Sequence, residues 1–258
     1  MDVSVEGKVA LVTGASRGIG LATALEFARS GARGVVITSR KPENIEAAAA
    51  EMMEQGVDTG QILALPARAD SEEAADQAVA ATIERFGSCD ILVNNAGTNP
   101  SAGALMDVDL GALDKTWAVN LRAPLLWVRS AFRQWMEKNG GVVVNVASVG
   151  GLRPSAITGA YNISKAGLVY MTKQLAFELA PKVRVNAVAP ALVRTRLAGM
   201  LLADEELAAR MHPLGRVGEP DDVARLIVFL ASDAAEWMTG AVVPIDGGVV
   251  GASSSGIS

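Results

Sequence analysis

Seven short apolar runs, separated by helix-length segments, constrain this chain more than any other feature. They are Lys8–Val12, Val35–Thr38, Gln61–Leu65, Ile91–Val93 running into Asn94, Val142–Val146, Val183–Val188 and Ala241–Ile245. Their apolar residues are consecutive rather than alternating, as expected of strands buried on both faces. The segments between them read as helices: Gly18–Ser30, Pro42 to near Gly56, Ser71 to Phe86, Leu110–Lys138, Tyr161–Ala180 and Asp221–Ala231. Pro42 suits a first helical turn, and Ser71 followed by Glu72 and Glu73 opens a helix that Gly87 stops. Strands alternating with helices predict a parallel sheet covered on both faces. No linker or internal repeat interrupts the pattern. The expectation is one doubly wound α/β domain spanning residues 1–258, with a short flexible tail GASSSGIS, mobile or ordered only against a neighbouring subunit.

Half of the residues are hydrophobic and a fifth charged, enough for a sizeable core. A net charge of −5 argues against a general nucleic-acid surface. One cysteine, Cys89, leaves no internal disulfide and no cysteine-based zinc cluster, and its apolar setting predicts an inert buried thiol. The start MDVSVEGKVALVTG lacks the pattern of a signal peptide, and no run reaches the roughly 18 apolar residues of a membrane span. A cytoplasmic location without membrane, nucleic acid or metal is expected.

The first strand runs into Thr13-Gly14-Ala15-Ser16-Arg17-Gly18-Ile19-Gly20. Glycines here permit a tight turn and close backbone approach to a pyrophosphate, while the helix that follows offers free amides and a positive dipole end. Farther on, Tyr161 and Lys165 lie four residues apart, on one face of a helix. An ammonium beside a phenol favours the phenolate and can draw a tyrosine toward acid/base work. Such a pair alone recurs on many solvated helices and takes its meaning from the rest of the chain.

The glycine turn, Asn94-Asn95-Ala96-Gly97, Ser148, and Tyr161 with Lys165 together resemble the short-chain dehydrogenase/reductase family, in order and spacing, from about residue 5 to residue 248. The resemblance implies a Rossmann domain with a seven-stranded parallel sheet, and hydride transfer between a nicotinamide cofactor and a small carbonyl or secondary alcohol. By resemblance Tyr161 is the general acid or base, Lys165 lowers its pKa and contacts the nicotinamide ribose, Ser148 hydrogen-bonds the substrate oxygen, and Asn120 supports a water link to the lysine. Gly14, Ser16, Arg17, Gly18, Ile19, Gly20, Asn94, Ala96 and Gly97 would shape the cofactor pocket, Asn94 mainly by stabilising the sheet. Pro190, Val193 and Thr195 match the stretch that contacts the carboxamide, although Ala191 replaces the usual glycine. In such sites an acidic residue after the second strand selects NAD and a basic one NADP. Ser39 stands where that acid would be, with Arg40 beside it and Arg17 in the turn, so NADP(H) is expected and NAD(H) is the alternative. The adenine contact falls on Arg68 or Asp70.

A substrate lid is expected over about 194–214, its first part LAGMLLADEELAAR forming a short amphipathic helix suited to a hydrophobic carbonyl compound. His212 reads as a loop residue, and Arg153, Arg194 and Arg196 as exposed arginines within reach of an anionic substrate. A 3-oxoacyl reductase acting on carrier-protein or coenzyme A thioesters is the rival, weakened by Phe177 where that subgroup uses an arginine to dock its carrier. A non-catalytic NADP-binding scaffold is the other alternative. The resemblance further implies a homotetramer, with Trp117, Trp127, Trp135 and the Tyr161 helix partly buried either between subunits or within one.

Overall fold

Along each central strand the side chains part alternately to two hydrophobic cores. In β1 (Val9–Val12), Ala10 and Val12 join one core and Val9 and Leu11 the other. The same division runs through β2 (Gly34–Ser39), β4 (Ile91–Asn94) and β5 (Gly141–Val146), which is why these runs carry no polar alternation. The structure is a computed structural model and describes residues 3–199 and 201–251. With β3 (Ile62–Pro66), β6 (Val183–Pro190) and β7 (Val242–Ile245), the strands form one parallel sheet of seven in the order β3-β2-β1-β4-β5-β6-β7. The expected tail beyond Gly251 lies outside the described residues.

The helices are α1 (Gly18–Arg29), α2 (Pro42–Glu54), α3 (Glu72–Phe86), α4 (Leu110–Trp117), α5 (Ala123–Ala131), α6 (Glu137–Asn139), α7 (Gly159–Leu179), α8 (Glu205–Arg210) and α9 (Pro220–Ala231). One core is closed by α1, α2 and α9, the other by α3, α5 and α7. Local signals behave as read from the sequence. The Ser71 hydroxyl accepts from the Ala74 amide 3.2 Å away, and Gly87 ends α3 at φ 78°. Among the described residues no helix is long and apolar enough to cross a membrane.

Two expectations are refined and one is corrected. Residues 110–139 do form a helical stretch, but Ala118–Arg122 and Phe132–Met136 are π-helical. Trp127 is 1 % exposed inside its own chain and donates to the Ala69 carbonyl at 2.9 Å, so it belongs to the core, where truncation costs about 3–5 kcal/mol. Trp117 is the exposed member of that trio, while Trp135 packs on the core and donates to Asp90. The expected lid helix is confined to Glu205–Arg210, because Asp204 caps it by accepting from the Leu207 amide at 2.9 Å; among the described residues before it, the helical structure is the 3-10 turn Arg196–Ala198.

Candidate active site

The chain builds β1, β2 and β3 outward and then returns to lay β4 on the other side of β1, opening a crevice at the carboxyl ends of β1 and β4. One hydroxyl ties the two strand ends together. Thr13 Oγ1 donates to the Val93 carbonyl at 3.2 Å and accepts from the amides of Asn95 and Ala96 at 3.0 and 3.1 Å. The Asn95 side chain donates to the carbonyls of Thr13 and Gly14 at 2.8 and 3.0 Å. Gly14 has φ 65°, and a Cβ on it would stand 2.7 Å from the Ala96 Cα. A Cβ on Gly20 would meet the Gly14 carbonyl oxygen at 2.7 Å and the Ala15 Cα at 2.8 Å. Gly20→Ala is therefore expected to cost about 1–3 kcal/mol of unfolding free energy, measurable by urea titration. Ile19 packs on the core, Gly18 begins α1 against Thr195, and Ser16 and Arg17 form the outer edge of the turn. Among the described residues no side chain caps the N-terminus of α1, and no acidic residue lies in its first turn.

Ser39 ends β2, and its carbonyl accepts from the Ala67 amide at 2.8 Å. Arg40 follows it, exposed like Arg17, and among the described residues neither guanidinium has an ion pair or side-chain hydrogen bond. Arg68 and Asp70 differ from both. The Asp70 carboxylate accepts from Lys115 at 2.7 Å and from Arg68 at 3.1 Å. Burial works to raise its pKa, but these hydrogen bonds together outweigh it and hold the carboxyl down at about 2.

Ser148 follows β5, and its hydroxyl accepts from the Gly150 amide at 3.1 Å. Opposite it, α7 begins two residues before Tyr161, so Tyr161 and Lys165 share the face of its first turns. Lys165 is 3 % exposed, donates to the Val146 carbonyl at 2.7 Å and lies 5.7 Å from the centroid of the Tyr161 ring. Burial dominates both groups. It pushes the Tyr161 phenol above its ordinary value, with a Ser148 hydrogen bond working the other way, and it draws Lys165 down to about 8. The ammonium nearby therefore does not, with the chain's groups alone, bring the phenol below 10. Asn120 sits fully buried in the first π-helical segment. Its oxygen accepts from the Thr98 amide at 2.8 Å, and its nitrogen donates to the Thr98 carbonyl at 2.9 Å and to the Ser164 hydroxyl at 3.0 Å. Ser164 donates in turn to the Tyr161 carbonyl at 2.6 Å, joining the Asn120 segment to α7.

Gly97 lies between these groups: a Cβ there would be 3.7 Å from both Asn120 Oδ1 and Lys165 Nζ. Asn94 points instead into the sheet. It donates to Asn145 Oδ1 at 2.9 Å, and Asn145 donates to the Thr172 hydroxyl at 2.9 Å, a buried relay from β4 through β5 to α7. Asn145 and Thr172 escaped the sequence reading, although an asparagine in Val-Val-Val-Asn-Val was a visible signal. Pro190 ends β6 beside Ile245, and Val193, 5 % exposed, bridges to Gly218. Arg194 is committed to Glu205 and Glu219 at 2.6 and 2.9 Å, while Arg153 and Arg196 are exposed. His212 lies in the turn after α8, as expected of a loop residue, yet it is buried, its Nδ1 hydrogen-bonded to the Ala208 carbonyl at 2.7 Å. Burial, aided by Asp90, pushes the Cys89 thiol up to about 12.

The family model described as "Enoyl-(Acyl carrier protein) reductase" matches residues 14–250. Human "Dehydrogenase/reductase SDR family member 4" is 39 % identical over 245 residues, covering 93 % of this chain and 87 % of that protein. "Tropinone reductase-like 3" of Erythroxylum coca is 36 % identical over 246 residues, covering 94 % of this chain and 93 % of that protein. Among solved structures, a short-chain type dehydrogenase/reductase from Mycobacterium marinum superposes with a TM-score of 0.90 at 32 % identity, covering 97 % of this chain and 98 % of that one.

Proposed function

Because the chain belongs to the short-chain dehydrogenase/reductase family, and so is an oxidoreductase that acts on CH–OH or carbonyl groups with a nicotinamide dinucleotide, we propose that it interconverts a carbonyl and a secondary alcohol with NADP(H) and with Tyr161 as general acid and base. The observation that carries the reading is the meeting of Ser148, Tyr161 and Lys165 at the carboxyl edge of β5, beside the crevice at the switch point.

The glycine turn fits a dinucleotide. Gly14 and Gly20 let the turn close against Ala96 and upon itself, where a Cβ would collide, and the uncapped start of α1 leaves its amides to an anion. Gly14, Ser16, Arg17, Gly18, Ile19 and Gly20 would cradle the phosphates, with Ala96 and Gly97 across the crevice and Pro190, Val193 and Thr195 toward the nicotinamide end. When bound, the cofactor supplies or accepts the hydride. In reduction, Tyr161 gives its proton to the substrate oxygen as negative charge develops there, and Ser148 donates a hydrogen bond to the same oxygen. In oxidation, Tyr161 takes the hydroxyl proton. Lys165 holds its charge next to the phenol, and Asn120 holds the helix that carries both.

Arg17 and Arg40, without an ion pair among the described residues, support NADP(H) over NAD(H), because a guanidinium fork matches a phosphate and Ser39 offers no carboxylate to a 2′-hydroxyl. Arg40→Ala is expected to weaken NADPH binding about tenfold or more and to leave NADH binding nearly unchanged, as read by calorimetry. Equal losses for both cofactors would remove the phosphate contact. Asp70 commits Oδ2 to Lys115 and Arg68, which leaves Oδ1 to accept from an adenine amino group.

We read residues 194–214 as the lid and the substrate as an apolar carbonyl compound, supported by the exposed Leu197, Leu201, Leu207, Met211 and Leu214. Arg194 is withdrawn from any anionic substrate by its two glutamates. Thioesters of an acyl carrier are the second reading, favoured by the description of the matching family; Phe177, 85 % exposed, puts an apolar ring where an acidic carrier needs a cation. Ile163, Tyr170 and Phe177 recur every seven residues on an exposed stripe of α7, which supports association into a homotetramer through that helix. The test of the central reading is oxidation of NADPH and NADH by the purified protein across ketones, β-ketoacyl thioesters and quinones. Turnover with NADPH is expected; NADPH binding without turnover of any member would favour the scaffold.

A further inference from the structure

The segment that joins Ser148 to α7 is pressed flat against that helix. In the turn Val149–Gly151, a Cβ on Gly151 would stand 2.7 Å from the Lys165 carbonyl carbon. A Cβ on Gly150 would stand 3.0 Å from the Asn162 Cγ and closer still to its Oδ1. Only glycines allow the turn to lie there, and the amide of Gly150 is the one that the Ser148 hydroxyl accepts from.

Asn162, 7 % exposed and next in sequence to Tyr161, holds the far side of the same loop. Its Oδ1 accepts from the Thr158 hydroxyl at 3.1 Å, and its Nδ2 donates to the Ser155 hydroxyl at 3.1 Å. Ser155 and Thr158 share a hydrogen bond of their own, which closes a triangle. Thr158 is the N-cap residue of α7, yet its side chain caps no amide and is spent on Asn162 instead. An amide is the group that serves both corners, because it accepts at one end and donates at the other. A side chain without those atoms would leave the two hydroxyls only each other and release the loop from the helix.

We propose that Asn162 is a positioning residue for Ser148: it locks residues 149–158 onto α7 and so fixes the Ser148 hydroxyl opposite Tyr161. The proposal rests on the reading of Ser148 and Tyr161 as the oxygen-facing pair. Asn162 itself touches no reacting atom. The alternative is that it only braces the first turn of α7.

The chain has two tyrosines, so Tyr170→Phe leaves Tyr161 as the single tyrosine. The test is the Cζ resonance of 13C-labelled Tyr161 at neutral pH in that background, which reports the hydrogen bond at its hydroxyl without any turnover. Ser148→Ala is expected to displace the resonance. Asn162→Ala and Thr158→Val should reproduce most of that displacement, and Thr158→Ser, which keeps the hydroxyl, should restore the parent position. With any carbonyl from the panel that is turned over, Asn162→Ala should lower kcat about tenfold at unchanged NADPH affinity. A resonance in the parent position in Asn162→Ala, with Ser148→Ala displaced, would reduce Asn162 to a helix brace and overturn the proposal. No displacement in Ser148→Ala would overturn it as well, while leaving the acid/base role of Tyr161 to the kinetics. Should Asn162→Ala fail to fold, the two Thr158 variants carry the same comparison.

Discussion

Tyr161→Phe is expected to lower kcat by about 10²–10⁴-fold, the range by which a positioned acid or base accelerates proton transfer, with NADPH affinity within about twofold of the parent. The substitution removes one oxygen from a ring whose surroundings stay in place, so folding and cofactor binding have little reason to change. Single-turnover reduction, compared with calorimetric titration of NADPH, separates the two effects. Comparable turnover in both proteins would remove the phenol from the mechanism. The pH profile carries a further sign. Burial raises the Tyr161 phenol, so in the direction of alcohol oxidation the rate should climb with pH up to about 8, where Lys165 begins to lose its charge.

Lys165→Met is expected to abolish at least as much activity and yet to leave the fold as stable as before or more so. Lys165 is drawn from 10.5 down to about 8 by burial, equivalent to roughly 3 kcal/mol of penalty on its charged form. Between those two values the unfolded chain holds a proton that the folded chain has released, so stability rises with pH across that window. Below pH 8 the penalty is present in full. Removing the ammonium relieves it, and against that gain stands the Val146 carbonyl, whose lost hydrogen bond costs about 1–3 kcal/mol. Urea unfolding at pH 7 and at pH 10 tests both halves: the parent should gain stability over that interval, and the variant should lack the gain. A variant much less stable at pH 7 would mean that the ammonium supports the fold as well as the chemistry.

The sheet was legible because its strands are buried on both faces, so position in the chain and uninterrupted apolar character carry the same message. Most strand ends fell within a residue or two, and β6 ran on to Pro190 because it still pairs with β7 there. The glycine turn and the Tyr161–Lys165 pair were legible for another reason: spacing sets which atoms can meet, and the order of several motifs together matched one family. Asn162 was not, since an asparagine between a tyrosine and a lysine looks like any helix residue until the loop that it grips has been folded back. The extent of α8 was misread because LAGMLLADEELAAR is periodic throughout, and the cap at Asp204, three residues before the amide that it receives, decides where the helix starts. Trp127 could equally have faced a partner, and only its bond to Ala69 and its place against α3 and the sheet assign it to the interior.

The π-helical segment around Asn120 has a consequence for how this chain can change length. A π-turn holds one more residue than an α-turn, so Ala118–Arg122 is the place where one residue could be lost while α4 and α5 keep their faces. The shortened helix would be the more regular one. Were Asn120 the residue lost, the amide that grips Thr98 and Ser164 would go with it. Here the irregular backbone and the site are one feature, and a lineage that tidied its helix by that codon would inherit the architecture without the anchor beneath its tyrosine.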